Sequence, residues 1–205
     1  MPTDSWSTLD PDDEGVNGYR WLNSVVVPRP IAWISTLSAD GVPNLAPHSF
    51  FTVACANPAM IAFASVTRKD TLSNIEATGE LVVNLASEPD LAAINATSAR
   101  FPADVDEAAA LDIAMTPSVR VAPQRVASAP VALECRLHST QELGDTTLVV
   151  ARVVLIGARD DTLGPHGYPL IERLRPLSRL GGDEWGLPPS VVAITRPQRP
   201  EDITR

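Results

Sequence analysis

The residues best suited to chemistry fall in two short stretches. The first is Thr67-Arg68-Lys69-Asp70-Thr71, directly after the apolar run Met60 to Val66. It opens the segment KDTLSNIEAT, where Leu72, Ile75 and Glu76 keep helical spacing and Gly79 supplies a stop. Two hydroxyls, two adjacent cations and the unpaired amides of a helix start suit a phosphate monoester, which uses free N–H groups, the positive end of the helix dipole and a point charge. Asp70 would repel that ligand unless it turns away to cap the helix, a role open to Asp70 or Thr71. An ordinary capped helix with a solvated charge pair fits the same letters.

The second stretch is Asn44-Leu45-Ala46-Pro47-His48-Ser49-Phe50-Phe51. Small residues, a proline and an aromatic pair interrupt strand alternation, which suggests backbone exposed at a cleft where a flat aromatic ligand could lie. A core strand with Phe50 and Phe51 packed on opposite sides is the competing reading. His48 is either a structural histidine or a ligand contact. Other site signatures are missing: there is no G-x-G-x-x-G after a strand, no Walker loop and no G-x-S-x-G elbow. His48, His138 and His166 lack metal-ligand spacing, so neither a metal nor a side-chain nucleophile is expected.

The elements that must position these stretches read mainly as β. Strands are expected at Ser24 to Val27, Ile31 to Leu37, Asn44 to Val53, Met60 to Val66, Leu81 to Leu85, Val131 to Gln141, Thr147 to Ala158 and Val191 to Thr195. Asp40-Gly41 and Gly144-Asp145 supply hairpin turns. Helices are expected from Lys69 to Thr78, from Pro89 to Ala96 with Ser87 as cap, near Glu107 to Leu111 and near Leu170 to Leu174. Residues 98–128 read as a long surface excursion, the kind of segment that often covers a site. The pattern predicts a closed or half-closed antiparallel barrel with short flanking helices; regular strand–helix alternation of a doubly wound sheet is missing.

Composition narrows the partners. The chain has 205 residues, and 16 basic against 25 acidic side chains leave a net charge of −9. That disfavours nucleic acid, whose binding depends on clustered Lys and Arg. Lys69 is the one lysine among the basic residues. The polar, acidic N-terminus has no signal-peptide core, and no stretch approaches the roughly 18 apolar residues of a membrane span. Cys55 and Cys135 lie apart in apolar runs and read as free thiols. A cytoplasmic protein without membrane or nucleic-acid partners is expected, with a flexible arm over residues 1–18 and one domain over residues 19–205.

The stretches PRPIAWISTLSADGVPNLAPHSFF, TRKDTLSNIEATGELVVNLAS, INATSARFP, APVALECRLHS and RPLSRLGG resemble the flavin reductase-like, FMN-binding split-barrel family. The resemblance covers roughly residues 19–183 and implies a six-stranded antiparallel, Greek-key-like split barrel that forms a homodimer with FMN near the interface. By the same resemblance, Ala46, Pro47, His48, Ser49 and Phe50 run along the flavin, and Ser65, Thr67, Arg68, Lys69, Asp70 and Thr71 form the phosphate turn. Asn95, Ser98 and Phe101 approach the flavin from the side, Arg179 belongs to a late R-L-G-G element near the cofactor, and Arg29 and Ser35, on a matching strand, complete the implied cofactor-binding set. The implied activity is hydride transfer from NADH or NADPH to flavin N5, with free flavin or another small molecule as electron acceptor. One departure stands out. Reductases of the short-chain branch carry Gly-Asp-His at the turn before the last long strand, whereas this chain has Gly144-Asp145-Thr146, which keeps open an FMN-binding carrier or electron-transfer protein without nucleotide turnover.

Overall fold

The computed structural model describes residues 5–202. Residues 1–4 of the expected arm lie outside the described residues, and residues 5–17 run without helix or strand. Asn17 then accepts a hydrogen bond from the Arg20 amide at 2.9 Å and caps α1 (Gly18–Val25). The strand expected over Ser24 to Val27 is thereby corrected. Ser24 Oγ donates to the Arg20 carbonyl and the Val26 amide to that of Leu22, so local bonds hold this segment in and just after the helix.

The chain continues through β1 (Arg29–Pro30), β2 (Ala32–Leu37), β3 (Pro43–His48), β4 (Phe51–Cys55), β5 (Met60–Val66), α2 (Asp70–Thr78) and β6 (Glu80–Leu85). A single 3-10 turn, Glu88–Asp90, leads into α3 (Leu91–Ala96), with Ser87 at its cap position but no side-chain cap bond. There follow α4 (Glu107–Ala110), β7 (Met115–Thr116), β8 (Arg125–Val126), β9 (Val131–Leu143), β10 (Thr146–Ala158), α5 (Ile171–Leu174), β11 (Ser178–Arg179) and β12 (Trp185–Gly186). Asp40-Gly41 makes the β2–β3 turn, with Gly41 at φ +82° as the hairpin requires.

The main sheet is antiparallel and seven-stranded, in the order β3-β2-β6-β9-β10-β5-β4. Its two outer strands, β3 and β4, are joined only by Ser49 and Phe50. So short a link forces the sheet to curl until its ends approach, which produces a barrel split between β3 and β4. The single strand expected over Asn44 to Val53 is corrected into these two, because β3 pairs with β2 while β4 pairs with β5 on the far edge. This break also turns the expected six strands into seven.

Two apolar clusters use opposite faces of β2, which is buried on both sides. Ile34, Phe63, Leu81, Val83, Cys135 and Val149 fill the barrel together with Leu72 and Ile75 from α2. Burying each of those helix side chains contributes roughly 1.5–3 kcal/mol and pins α2 to the barrel. On the other face Trp33, Leu45, Ile94, Ala108, Val126 and Leu177 pack beneath α3, α4 and the excursion.

Residues 98–128 contain more order than a loop. The β7–β8 ribbon stiffens them, and buried polar groups fasten them to the barrel. The Asn84 carboxamide donates to the Trp33 carbonyl and accepts from the Val126 amide at 2.8 Å. The buried Glu134 carboxylate accepts from the amides of Val119 and Arg120. The strand expected at Val191 to Thr195 does not form. Its β-branched residues favour extended backbone, but no sheet edge pairs with them, and Val191, Val192 and Ile194 stay exposed.

Candidate functional site

The local geometry after β5 follows from one unfavourable residue. Thr67 takes φ +59°, a left-handed conformation that costs a β-branched residue about 1–3 kcal/mol. Its amide donates to the Asp145 carbonyl at 2.9 Å, so the Gly144-Asp145 turn of the neighbouring hairpin holds it there. The reversal delivers Lys69 as the N-cap of α2, in extended conformation and without a side-chain cap. Asp70 and Thr71, the expected caps, are instead the first residues of the helix. The first helical donor is the Ser73 amide, bonded to the Lys69 carbonyl at 3.0 Å, and the amides of Asp70, Thr71 and Leu72 find no acceptor among the described residues.

A buried polar network fixes that helix start. Asn44 Nδ2 donates to Thr71 Oγ1 at 3.0 Å and to Thr36 Oγ1 at 3.3 Å, and Asn74 Nδ2 donates to Thr36 Oγ1 at 3.1 Å. It ties α2 to the β2–β3 hairpin, so the open amides and β3 share one rigid frame.

β3 itself is an edge strand with a distinctive rim. The Leu45 amide points away from β2 and donates to the Glu107 carboxylate at 2.9 Å. Alternate residues of an antiparallel strand turn their backbone the same way, so Pro43 and Pro47 also face outward. As prolines they present carbonyls and no amide, which leaves the rim rich in acceptors and closed to an added strand.

Between this rim and the start of α2 lies a cleft of about 550 Å3. It brings together Ala46, Pro47 and His48 of β3, Thr67 to Thr71 of the turn, and Ser98 and Phe101 of the excursion. Asn44, Thr97, Ala99, Arg100 and Glu107 also line it, five residues outside the expected set. The excursion therefore forms one wall. Thr97 is placed by Trp33, whose Nε1 donates to Thr97 Oγ1 at 2.9 Å. Of the two adjacent cations, Arg68 is held by Glu76 at 2.6 Å, whereas Lys69 makes no ion pair among the described residues. Burial, and secondarily the Lys69 charge, push the His48 imidazole down to about 4, so it is neutral at physiological pH. Its ring lies 4.9 Å from that of Phe63 between centroids, and its buried Nε2 has no hydrogen-bond partner among the described residues. Burial raises the Glu107 carboxyl, opposed by the Leu45 hydrogen bond.

The remaining expected residues stand apart from this cleft. Ser65 is buried beneath the turn, its hydroxyl donating to the Thr67 carbonyl at 3.3 Å. Ser35 faces the excursion and donates to the Gln124 carbonyl. Arg29 gives its terminal nitrogens to the carbonyls of Asn23, Val26 and Leu180 and lies 6.0 Å from the Phe50 ring centroid, acting as a brace between α1 and β11. Phe50 meets Tyr19 at 6.3 Å. Ser49, Asn95 and Arg179 line a narrow neck of about 140 Å3 that shares Pro47 and Ser98 with the cleft. That neck leads to a wider recess beside Trp185.

The fold and the site thus define a split antiparallel barrel with an uncapped helix start beside a proline-rimmed edge strand. Residues 24–173 match the model of the flavin reductase like domain, and the chain belongs to that family. It is 34% identical over 176 residues to an uncharacterized protein of Aquifex aeolicus, covering 83% of this chain and 90% of that protein. Among solved structures it resembles nitrilotriacetate monooxygenase component B from Bacillus cereus, with TM-score 0.88 and 27% identity over 94% of this chain and all of the other. The 2-nitrobenzoate 2-nitroreductase NbaA of Pseudomonas fluorescens gives TM-score 0.86 and 26% identity, covering 94% and 97% of the two chains. These relationships support an oxidoreductase function that involves flavin.

Proposed function

We propose that the cleft holds FMN and that the protein is an NAD(P)H-dependent flavin reductase. The observation that carries this reading is the start of α2, where three amides without acceptors and an unpaired Lys69 face a cleft bordered by β3. Such a donor set fits a phosphate dianion, with Thr67 and Thr71 as further hydroxyl ligands. Held there, FMN would supply the redox chemistry, namely hydride acceptance from NADH or NADPH at N5 and electron donation to free flavin or another small acceptor.

The protein's own residues bind and orient. Ala46 to Phe50 provide the surface for the ring system, with outward carbonyls able to accept from a ring N–H. Neutral His48 keeps a second positive charge away from the phosphate, and Asp70 is held in the first helical turn. Thr97, Ser98 and Phe101 exclude water from one side. A homodimer is part of the proposal: Tyr19, Trp21, Leu22 and Val25 of α1 are each at least half exposed, an apolar face suited to a second copy. Gly144-Asp145-Thr146 favours a second reading, an FMN carrier or electron-transfer protein, because the turn's observed task is to hold Thr67. Anaerobic addition of NADH or NADPH to the FMN-loaded protein separates the two. Bleaching of the oxidised flavin band supports the reductase, and an unchanged spectrum with both nucleotides refutes it.

A further inference from the structure

Beyond the neck lies a recess of about 740 Å3 lined by Arg179, and neither Arg179 nor its cross-strand partner Arg29 has a carboxylate partner among the described residues. Arg179 lines both neck and recess. Its guanidinium lies 4.8 Å from the Trp185 ring centroid, a spacing at which the indole fixes the cation in place. Its one hydrogen bond goes to the Gly182 carbonyl at 2.7 Å, which leaves most of its donors free. Arg29 lies within electrostatic range: burial first, and then the Arg179 charge, pull its guanidinium below the ordinary value. Arg29 Nε is buried and has no hydrogen-bond partner among the described residues. Asp183 lines the recess but forms no ion pair with either arginine. In a chain with net charge −9, two neighbouring guanidinium groups without a carboxylate mark a local anion preference.

The walls add a shape requirement. Pro89, Leu91 and Ala92 give one apolar side and Trp185 another, with Asn95 as a neutral polar group. A small inorganic anion would leave those walls unused, whereas a planar ring carrying one carboxylate would fill both kinds of surface. The neck opens beside Pro47 and Ser49, the stretch assigned above to the flavin ring.

We propose that this recess is the electron-acceptor subsite and takes an aryl carboxylate, its carboxylate on Arg179 and its ring against Trp185 and Leu91. The acceptor role rests on the flavin reading above; the binding site itself does not. Calorimetric titration of the FMN-loaded protein with benzoate, and separately with uncharged benzyl alcohol, tests it. Benzoate is expected to bind at least about tenfold more tightly than benzyl alcohol. Arg179→Gln is expected to remove at least about tenfold of the benzoate affinity, while FMN affinity, read from the flavin spectrum, moves less than about threefold. Arg179→Lys should fall between the two, because a point charge cannot match the planar fork. Trp185→Leu supplies a second variant that keeps the charge and should also weaken benzoate.

Absence of benzoate binding, equal binding of the two probes, or parallel losses of FMN and benzoate in Arg179→Gln would each overturn the proposal; the last would make Arg179 a flavin ligand. If the protein refuses FMN yet binds benzoate in an Arg179-dependent way, the aryl-carboxylate site stands and the flavin reading falls.

Discussion

Replacing Lys69 by glutamine removes the one cation of the cleft turn that is not already paired. At about 4 Å and an effective dielectric constant near 20, one ammonium and one negative charge attract by about 4 kcal/mol. Lys69 is exposed, so water and salt reduce that figure, and charge-assisted contacts of this kind are worth roughly 1–3 kcal/mol net. The dissociation constant of FMN should therefore rise by about five- to 150-fold in Lys69→Gln. Arg68→Gln is the internal control. That guanidinium, although it borders the cleft, is engaged with Glu76 on α2, and its loss should change FMN affinity by less than about threefold, as expected for an exposed charge already paired. Titrations followed by flavin fluorescence, at two salt concentrations, measure both variants. The salt dependence of binding should also be shallower in Lys69→Gln, since one screened attraction is gone. Unchanged FMN affinity in Lys69→Gln, or a larger loss in Arg68→Gln, would refute the placement of the phosphate on α2.

Two further expectations concern stability. His48 titrates near 4 when folded and near 6.5 when unfolded, so the unfolded chain binds the extra proton first as pH falls. Stability is full above about pH 6.5 and declines by about 3 kcal/mol towards pH 4; chemical denaturation against pH should show this, and His48→Gln should flatten the decline in that window. Asn84→Ala removes two buried side-chain hydrogen bonds and leaves the buried Val126 amide without its acceptor, which should cost about 2–4 kcal/mol in denaturant unfolding. It should also speed proteolysis within residues 112–128, because that amide is one of the excursion's fastenings; cleavage at the wild-type rate would argue that the other tethers suffice.

Local patterns carried much of this molecule. The Asp40-Gly41 hairpin, the long strand pair about Gly144-Asp145 and the helix ending at Gly79 follow from turn chemistry and spacing that act over a few residues. The helix start at Thr67 to Thr71, with its hydroxyls and cations, was legible because these are all short-range features. What misled were segments whose local preference lacked, or competed with, a partner. Val191 to Thr195 has the residues of a strand and no neighbouring edge. Ser24 to Val27 has β-branched residues, yet Asn17 and the bonds of α1 claim it.

The sequence by itself determined a mainly β chain with a helix start whose residue types suit an anion, since period, turn residues and charge placement are properties of neighbouring letters. Only the tertiary structure decided that Lys69 is the free cation and Arg68 the engaged one, because Glu76 selects between them. It also decided that Glu107 closes the β3 rim 62 residues from Leu45, that Thr97 and Arg100 join the cleft, and that Arg179 sits with Trp185 in a separate recess. Those assignments depend on which surfaces the curled sheet brings within hydrogen-bonding distance, and no spacing along the chain encodes that closure.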